Sequence, residues 1–348
     1  MSTEDVAMDD ASGVAMRETI GFADDLRFAI LQELDVHAEF NRIVICGMGA
    51  SAIGGDVLVD VLAHSSDVPI DVIRSMDLPH WVGVGTLAIV CSYSGNTRET
   101  VSMYDQAIMR GCSVIVITAG GKLMERCAKD GGMLVQLSGG RQPRNALGMI
   151  LGCMANVIET VGGAVSKKEM LEMLPRLCEF RDSIGFGRPD NYAEIIAKGI
   201  YGCVPVIYST SGIAASATRW KTQLNETSKM MAFSGAMPEF TDIPGSSDDI
   251  AKFNCKPVFL CETEAPEIVK DIARKSINMF RKFNIDPVIV KIPGKTVMER
   301  SLISIMLGDH VSLCLAMMKN IDPIEVRSIT ELKKNVTKEL TKRYGVME

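Results

Sequence analysis

Two short runs in the first third of the chain concentrate small and hydroxyl side chains: Gly47-Met48-Gly49-Ala50-Ser51 and Ser92-Tyr93-Ser94-Gly95-Asn96-Thr97. Glycine lets the backbone approach an oxyanion closely, and hydroxyls add donors without adding fixed charge. Ser51, Ser92, Ser94 and Thr97, with the backbone N–H groups at Gly49 and Ala50, are therefore candidates to hold one phosphate group. The same residue types also suit turns and helix caps, and Asn96 with Glu99 has the spacing of a capping box. Gly47-Met48-Gly49-Ala50-Ser51-Ala52 satisfies the loose G-x-G-x-x-G/A dinucleotide pattern. That pattern wants an acidic residue closing the second strand, where Arg74 stands, and a dinucleotide gives the second loop nothing to grip. Two hydroxyl-rich loops in adjacent units favour a phosphate site.

Such loops need strands that aim them. Residues 42–46, 70–73, 87–91 and 113–118 are short apolar, β-branched runs alternating with helical stretches, the pattern of parallel βαβ units. Ligands bind beyond the carboxyl ends of such strands, where helix N-termini present their N–H groups. The second half repeats the plan, with strands over 204–208, 258–261 and 287–292. Leading helices over 10–34, a helical connection over 146–185, a long helix over 298–318 and a charged C-terminal helix complete the chain. The expected fold is α/β: two flavodoxin-like three-layer α-β-α domains with parallel sheets, spanning 1–164 and 165–348. In the second half the loop matching Ser92–Thr97 reads Glu262-Thr263-Glu264-Ala265-Pro266, whose carboxylates would repel a phosphate. One anion site per chain is expected.

The 348 residues carry 37 Lys+Arg against 43 Asp+Glu, a formal net charge of −6, so an anion must be held by local geometry and not by bulk charge. No basic block with interleaved aromatics points to nucleic acid. The acidic N-terminus lacks signal-peptide order, and the apolar stretch 146–165 contains Asn156 and Glu159, so it reads as a buried helix and not a membrane span. The 10 cysteines form no Cys-x-x-Cys pair and there are only 4 histidines, which suggests free thiols in a reducing cytoplasm and no zinc site.

Over nearly its whole length the chain resembles the archaeal-type bifunctional phosphoglucose/phosphomannose isomerases, a branch of the SIS (sugar isomerase) superfamily. Besides the two loops, the resemblance rests on Pro143-Arg144-Asn145-Ala146-Leu147-Gly148 and on Arg219-Trp220-Lys221-Thr222-Gln223-Leu224-Asn225-Glu226, its most specific segment. It extends to Pro238-Glu239, Asp322-Pro323-Ile324-Glu325 and Leu332-Lys333. The resemblance implies an aldose–ketose isomerase acting on glucose 6-phosphate, mannose 6-phosphate and fructose 6-phosphate through an enediol, with no metal or other cofactor. It implies Glu226 as the base moving a proton between C1 and C2, Arg144 as the positive charge beside the enediolate, and Lys333 near the ring or its hydroxyls. It also implies a homodimer in which the 239–245 loop reaches across a two-fold axis.

One departure stands out. Where the family has a ring-opening histidine, this chain has Asp242, a much weaker base at neutral pH. Three alternatives stay open: Asp242 takes the role, another histidine such as His310 or His37 reaches the site, or the enzyme relies on spontaneous ring opening or no longer acts on pyranose substrates. A different sugar or amino-sugar phosphate and a non-catalytic sugar-phosphate sensor are the competing functions.

Overall fold

The computed structural model describes residues 11–188, 190–238, 250 and 252–325. Two leading helices, α1 (Ala11–Ile20) and α2 (Phe22–Leu31), precede an alternation of β1 (Arg42–Cys46), α3 (Ala50–Leu62), β2 (Ile70–Ile73), β3 (Thr86–Ser92), α4 (Arg98–Met109), β4 (Ser113–Thr118), α5 (Gly121–Lys129) and β5 (Met133–Gln136). The five strands form one parallel sheet in the order β2-β1-β3-β4-β5. The period-2 alternation of a strand explains how both faces are filled. Ile43, Ile45, Ile89, Ile115 and Ile117 enter the main core, while Val44, Cys46, Val90, Val114 and Val116 enter a second core. Leu123 and Cys127 of α5 and Val101, Met103 and Tyr104 of α4 cover that second face.

The helical connection resolves into α6 (Leu147–Thr160), α7 (Lys167–Ser183) and α8 (Tyr192–Ile200). The second sheet follows, with β6 (Val204–Thr210), α9 (Ala214–Glu226), β7 (Phe233–Met237), β8 (Cys255–Glu262), α10 (Glu267–Lys282) and β9 (Val288–Ile292). It too is parallel, ordered β7-β6-β8-β9. Its outer face is closed by Tyr208, Phe259 and Phe280, whose ring centroids lie 4.9–5.4 Å apart. The last described helix, α11 (Val297–Met318), is apolar enough by length and composition to cross a membrane, yet residues 298–316 are buried within the protein. It is a core helix. Gly308 lies where α11 crosses α9, and a Cβ there would stand 2.5 Å from the Trp220 ring, so only hydrogen permits that approach.

One continuous hydrophobic core runs through both halves, from Leu26 and Ile150 to Trp220, Val258 and Leu307. A polar clasp joins them as well. Asp60, near the end of α3, accepts a hydrogen bond from the Ala215 N–H at 2.7 Å and so caps α9 of the other half. Burial pushes the Asp60 carboxyl up to about 6; the bonds from Ala215 and Ala214 oppose the shift, and the nearby Asp56 adds to it. A carboxyl raised above its unfolded value costs stability when ionised, and the cost is present above the folded pKa and relieved as pH falls through it. Asp60→Asn keeps the acceptor without the charge. Chemical denaturation should find this variant more stable than the parent at pH 8, by about 3 kcal/mol at most. The advantage should fade as the pH is lowered to about 4.

Candidate active site

In a sheet ordered 2-1-3-4-5 the chain reverses its direction of winding between β1 and β3, and the loops leaving those two strands splay apart over a crevice. Those loops are the two hydroxyl-rich runs. They touch at their roots: a Cβ on Gly47 would lie 3.0 Å from the Cys91 carbonyl oxygen. The Ser51 hydroxyl meets the Cys91 thiol, which burial pushes up to about 12 against that hydrogen bond. Gly49, at φ 55 and ψ −127, makes the turn into α3, a conformation that L side chains avoid. Ala50 and Ser51 then form the first turn of α3, whose N–H groups have no intrahelical acceptors.

The second loop is braced from within. Ser92 Oγ donates to Thr97 Oγ1 at 3.1 Å and accepts from the Gly95 N–H at 3.2 Å, and Ser94 Oγ accepts from the Asn96 N–H at 3.3 Å. Ser51 and Ser92 are buried at the root of the crevice, whereas Ser94 is exposed. Asn96 does not form the capping box its spacing suggests. Thr97 is the N-cap of α4, and Asn96 instead donates to the Ser94 carbonyl and accepts from the Lys122 N–H, tying the loop to α5.

Arg144 lies in a one-turn 3-10 helix, Pro143–Ala146, between β5 and α6. Tyr93 of the second loop braces the approach to it: its hydroxyl donates to the Ser138 carbonyl at 2.9 Å and accepts from the Arg141 N–H at 3.1 Å. The leading helices hold the same segment through Arg141 with Asp25 and Asn145 with Glu18. Glu226, the last residue of α9, comes from the other half of the chain. Its Oε2 stands 3.9 Å from Arg144 Nη1, with side-chain exposures of 26% for Glu226 and 7% for Arg144. Burial lowers the Arg144 pKa; Glu226 opposes that shift and the neighbouring Arg219 reinforces it. A half-open carboxylate beside a buried, fixed cation suits proton transfer next to a developing oxyanion.

The supporting residues had a signal in the sequence that went unused. Arg219, Gln223 and Glu226 fall at i, i+4 and i+7 on α9 and so share one face. Arg219 is 1% exposed, meets Asp309 of α11 through Nε at 2.9 Å and Nη2 at 2.8 Å, and donates to the Arg144 carbonyl at 2.7 Å. Among the described residues Arg144 Nε, Arg219 Nη1 and Gln223 Oε1 are buried without a partner.

Asp242 and Lys333 lie outside the described residues. His310 is fully buried on α11, stacks on Phe186 at 5.1 Å and bonds the Met306 carbonyl at 2.8 Å; burial lowers its pKa. His37 is exposed beyond α2, with its N–H on Met133. Among the described residues neither histidine is hydrogen-bonded to or paired with Arg144 or Glu226. At the corresponding switch point of the second sheet, Glu262 is buried against Arg300 at 2.5 Å and Thr210, and Asp60 caps α9. Carboxylates of the protein occupy the ground where a second anion would bind.

Two parallel sheets of SIS topology, one hydroxyl-lined switch point and a carboxylate–arginine pair between the halves define a sugar-isomerase-type protein. The "Bacterial phospho-glucose isomerase C-terminal SIS domain" family matches residues 189–336. The chain belongs to the bifunctional phosphoglucose/phosphomannose isomerase family: it is 34% identical over 305 residues to the protein of that name from Aquifex aeolicus, covering 86% of this chain and 91% of that one. A D-glucosamine-6-phosphate 4-epimerase from Sulfolobus acidocaldarius is 29% identical over 206 residues, covering 57% of this chain and 61% of that one. The fold matches the C-terminal domain of glucosamine-fructose-6-phosphate aminotransferase from Francisella tularensis, with a TM-score of 0.70 at 12% identity over 90% of this chain and 98% of that one.

The second loop is tightest at Gly95, at φ +66, where a Cβ would stand 1.6 Å from the Gly120 carbonyl oxygen. Gly95→Ala should lower the unfolding free energy by about 2–4 kcal/mol from left-handed strain and overpacking combined, measured by urea titration.

Proposed function

We propose that the protein interconverts glucose 6-phosphate, and mannose 6-phosphate, with fructose 6-phosphate through an enediol. The observation that carries this is the juxtaposition of Glu226 with a buried Arg144 at 3.9 Å, one residue from each half of the chain. The substrate phosphate sits in the β1/β3 crevice, held by Ser51, Ser92, Ser94, Thr97 and the backbone at Gly49 and Ala50. Glu226 takes a proton from one of the two reacting carbons and returns it to the other, so a single carboxylate serves as base and then acid. Arg144 stands fixed where the enediolate oxygen becomes negative, and its burial strengthens that attraction. We assign ring opening to Asp242 and the sugar ring or its hydroxyls to Lys333, as the family resemblance implies. The protein works as a homodimer in the cytoplasm, with its chain divided at residues 164 and 165.

A second reading has its own support. Asp242 stands where the family has histidine, and the Sulfolobus relative named for an amino-sugar phosphate shares 29% identity over 206 residues. A different sugar or amino-sugar phosphate would use the same cradle and the same Glu226.

Purified, metal-free protein given fructose 6-phosphate should form glucose 6-phosphate and mannose 6-phosphate, resolved by chromatography. Glu226→Gln should cut kcat by at least about 100-fold, the scale of a lost general base. Binding of all three sugar phosphates without turnover across a wide pH range would leave a sensor. Turnover of glucosamine 6-phosphate alone would support the second reading.

A further inference from the structure

The Asp322-Pro323-Ile324-Glu325 segment has no role in the chemistry above, yet it holds the Arg144 guanidinium more closely than Glu226 does. Arg144 Nη2 donates to the Pro323 carbonyl at 2.8 Å and to the Ile324 carbonyl at 2.7 Å. A guanidinium carries two hydrogens on each Nη and one on Nε. Both Nη2 hydrogens are therefore committed to this turn, which fixes the plane of the group and leaves Nη1 facing Glu226. The turn is itself set by Asp322, whose Oδ1 accepts the Ile324 N–H at 2.7 Å and the Glu325 N–H at 3.3 Å, an Asx turn. At its other end Arg144 is held by its own carbonyl, through Arg219.

The clamp also explains the length of the ion pair. Carboxylate and guanidinium reach a bidentate pair at roughly 2.8 Å when free to do so, yet here they stand 3.9 Å apart. With Nη2 engaged on two carbonyls the guanidinium cannot turn its two-nitrogen edge onto Glu226, so the carboxylate stays free to accept a proton.

We infer that Asp322 is a positioning residue for the isomerisation: through the carbonyls of Pro323 and Ile324 it aims the Arg144 guanidinium and keeps it from closing onto Glu226. This rests on the assignment of Arg144 and Glu226 as the reacting pair.

The test uses the full chain, with kcat and KM for fructose 6-phosphate and the melting temperature measured for each variant. Asp322→Ala should lower kcat by about 10- to 100-fold, the cost of a misplaced catalytic group. Its KM should stay within about twofold, because the phosphate cradle is built elsewhere. Asp322→Asn, which keeps the Oδ1 acceptor, should recover most of the kcat. In an Arg144→Ala background, Asp322→Ala should cost nothing more, since it acts through the missing side chain.

Asp322→Ala with parental kcat, an Asp322→Asn as impaired as the alanine variant, or a further loss in the Arg144→Ala background would each overturn the inference. If Asp322→Ala does not fold, Pro323→Gly, which loosens the same carbonyls, carries the kcat test with the same expected and contrary results. An Arg144→Ala variant with parental kcat would overturn the assignment of the reacting pair, and this inference with it.

Discussion

Arg219 and Asp309 meet inside the protein through two bonds of 2.9 and 2.8 Å, and almost no solvent reaches either. Removing a single charge from water into such a place costs several kcal/mol, so each ion is tolerable only while the other is in register. That requirement locks α9 against α11 at one rotation and one height. The same guanidinium donates to the carbonyl of Arg144, so the segment between β5 and α6 is located by the same lock. Two turns further along α9 stands Glu226. The distance between the Glu226 carboxylate and the buried Arg144 is therefore set by a pair that lies behind them. Trp220 adds a second constraint on the same crossing, donating to the Ser304 carbonyl at 2.7 Å over the hydrogen of Gly308.

The two halves share a plan but not a chemistry. Each sheet has a switch point, β1/β3 in the first and β6/β8 in the second. At the first, hydroxyls and a left-handed glycine leave room for an anion. At the second, Glu262 is neutralised by Arg300, and the N-terminus of α9 is capped by Asp60 from the first half. The two sheets share a strand plan, and at the second switch point the ground is taken by internal ion pairs and caps. Glu226 stands at the far end of α9 and meets Arg144 of the first half of the chain.

Much of this was legible in the residues. Strands such as Arg42–Cys46 and Ser113–Thr118 are dense in β-branched side chains and buried on both faces, so they were found almost to the residue. β5 and β7 were missed: Met133–Gln136 is four residues with a single β-branched side chain, and Phe233–Met237 carries a glycine and partly exposed side chains. Both are edge strands, defined by the neighbour they pair with more than by their own sequence. The two loops are small and hydroxyl-rich in the sequence itself, but the bond from the Lys122 N–H to Asn96 is not legible there, because Lys122 lies one βα unit away. Arg219 with Asp309, 90 residues apart, could not be paired from sequence. Asp242 and Lys333 lie outside the described residues.

If Glu226 is the base, a proton, and not a hydride, moves between the two reacting carbons. With 26% of its side chain exposed, the protonated carboxyl can exchange with water before it returns the proton. Fructose 6-phosphate converted in D2O, with the product examined by proton NMR and mass spectrometry, tests this directly. Glucose 6-phosphate carrying solvent deuterium at C2 is the predicted result. A product formed at full rate with no deuterium at C2 would contradict the account.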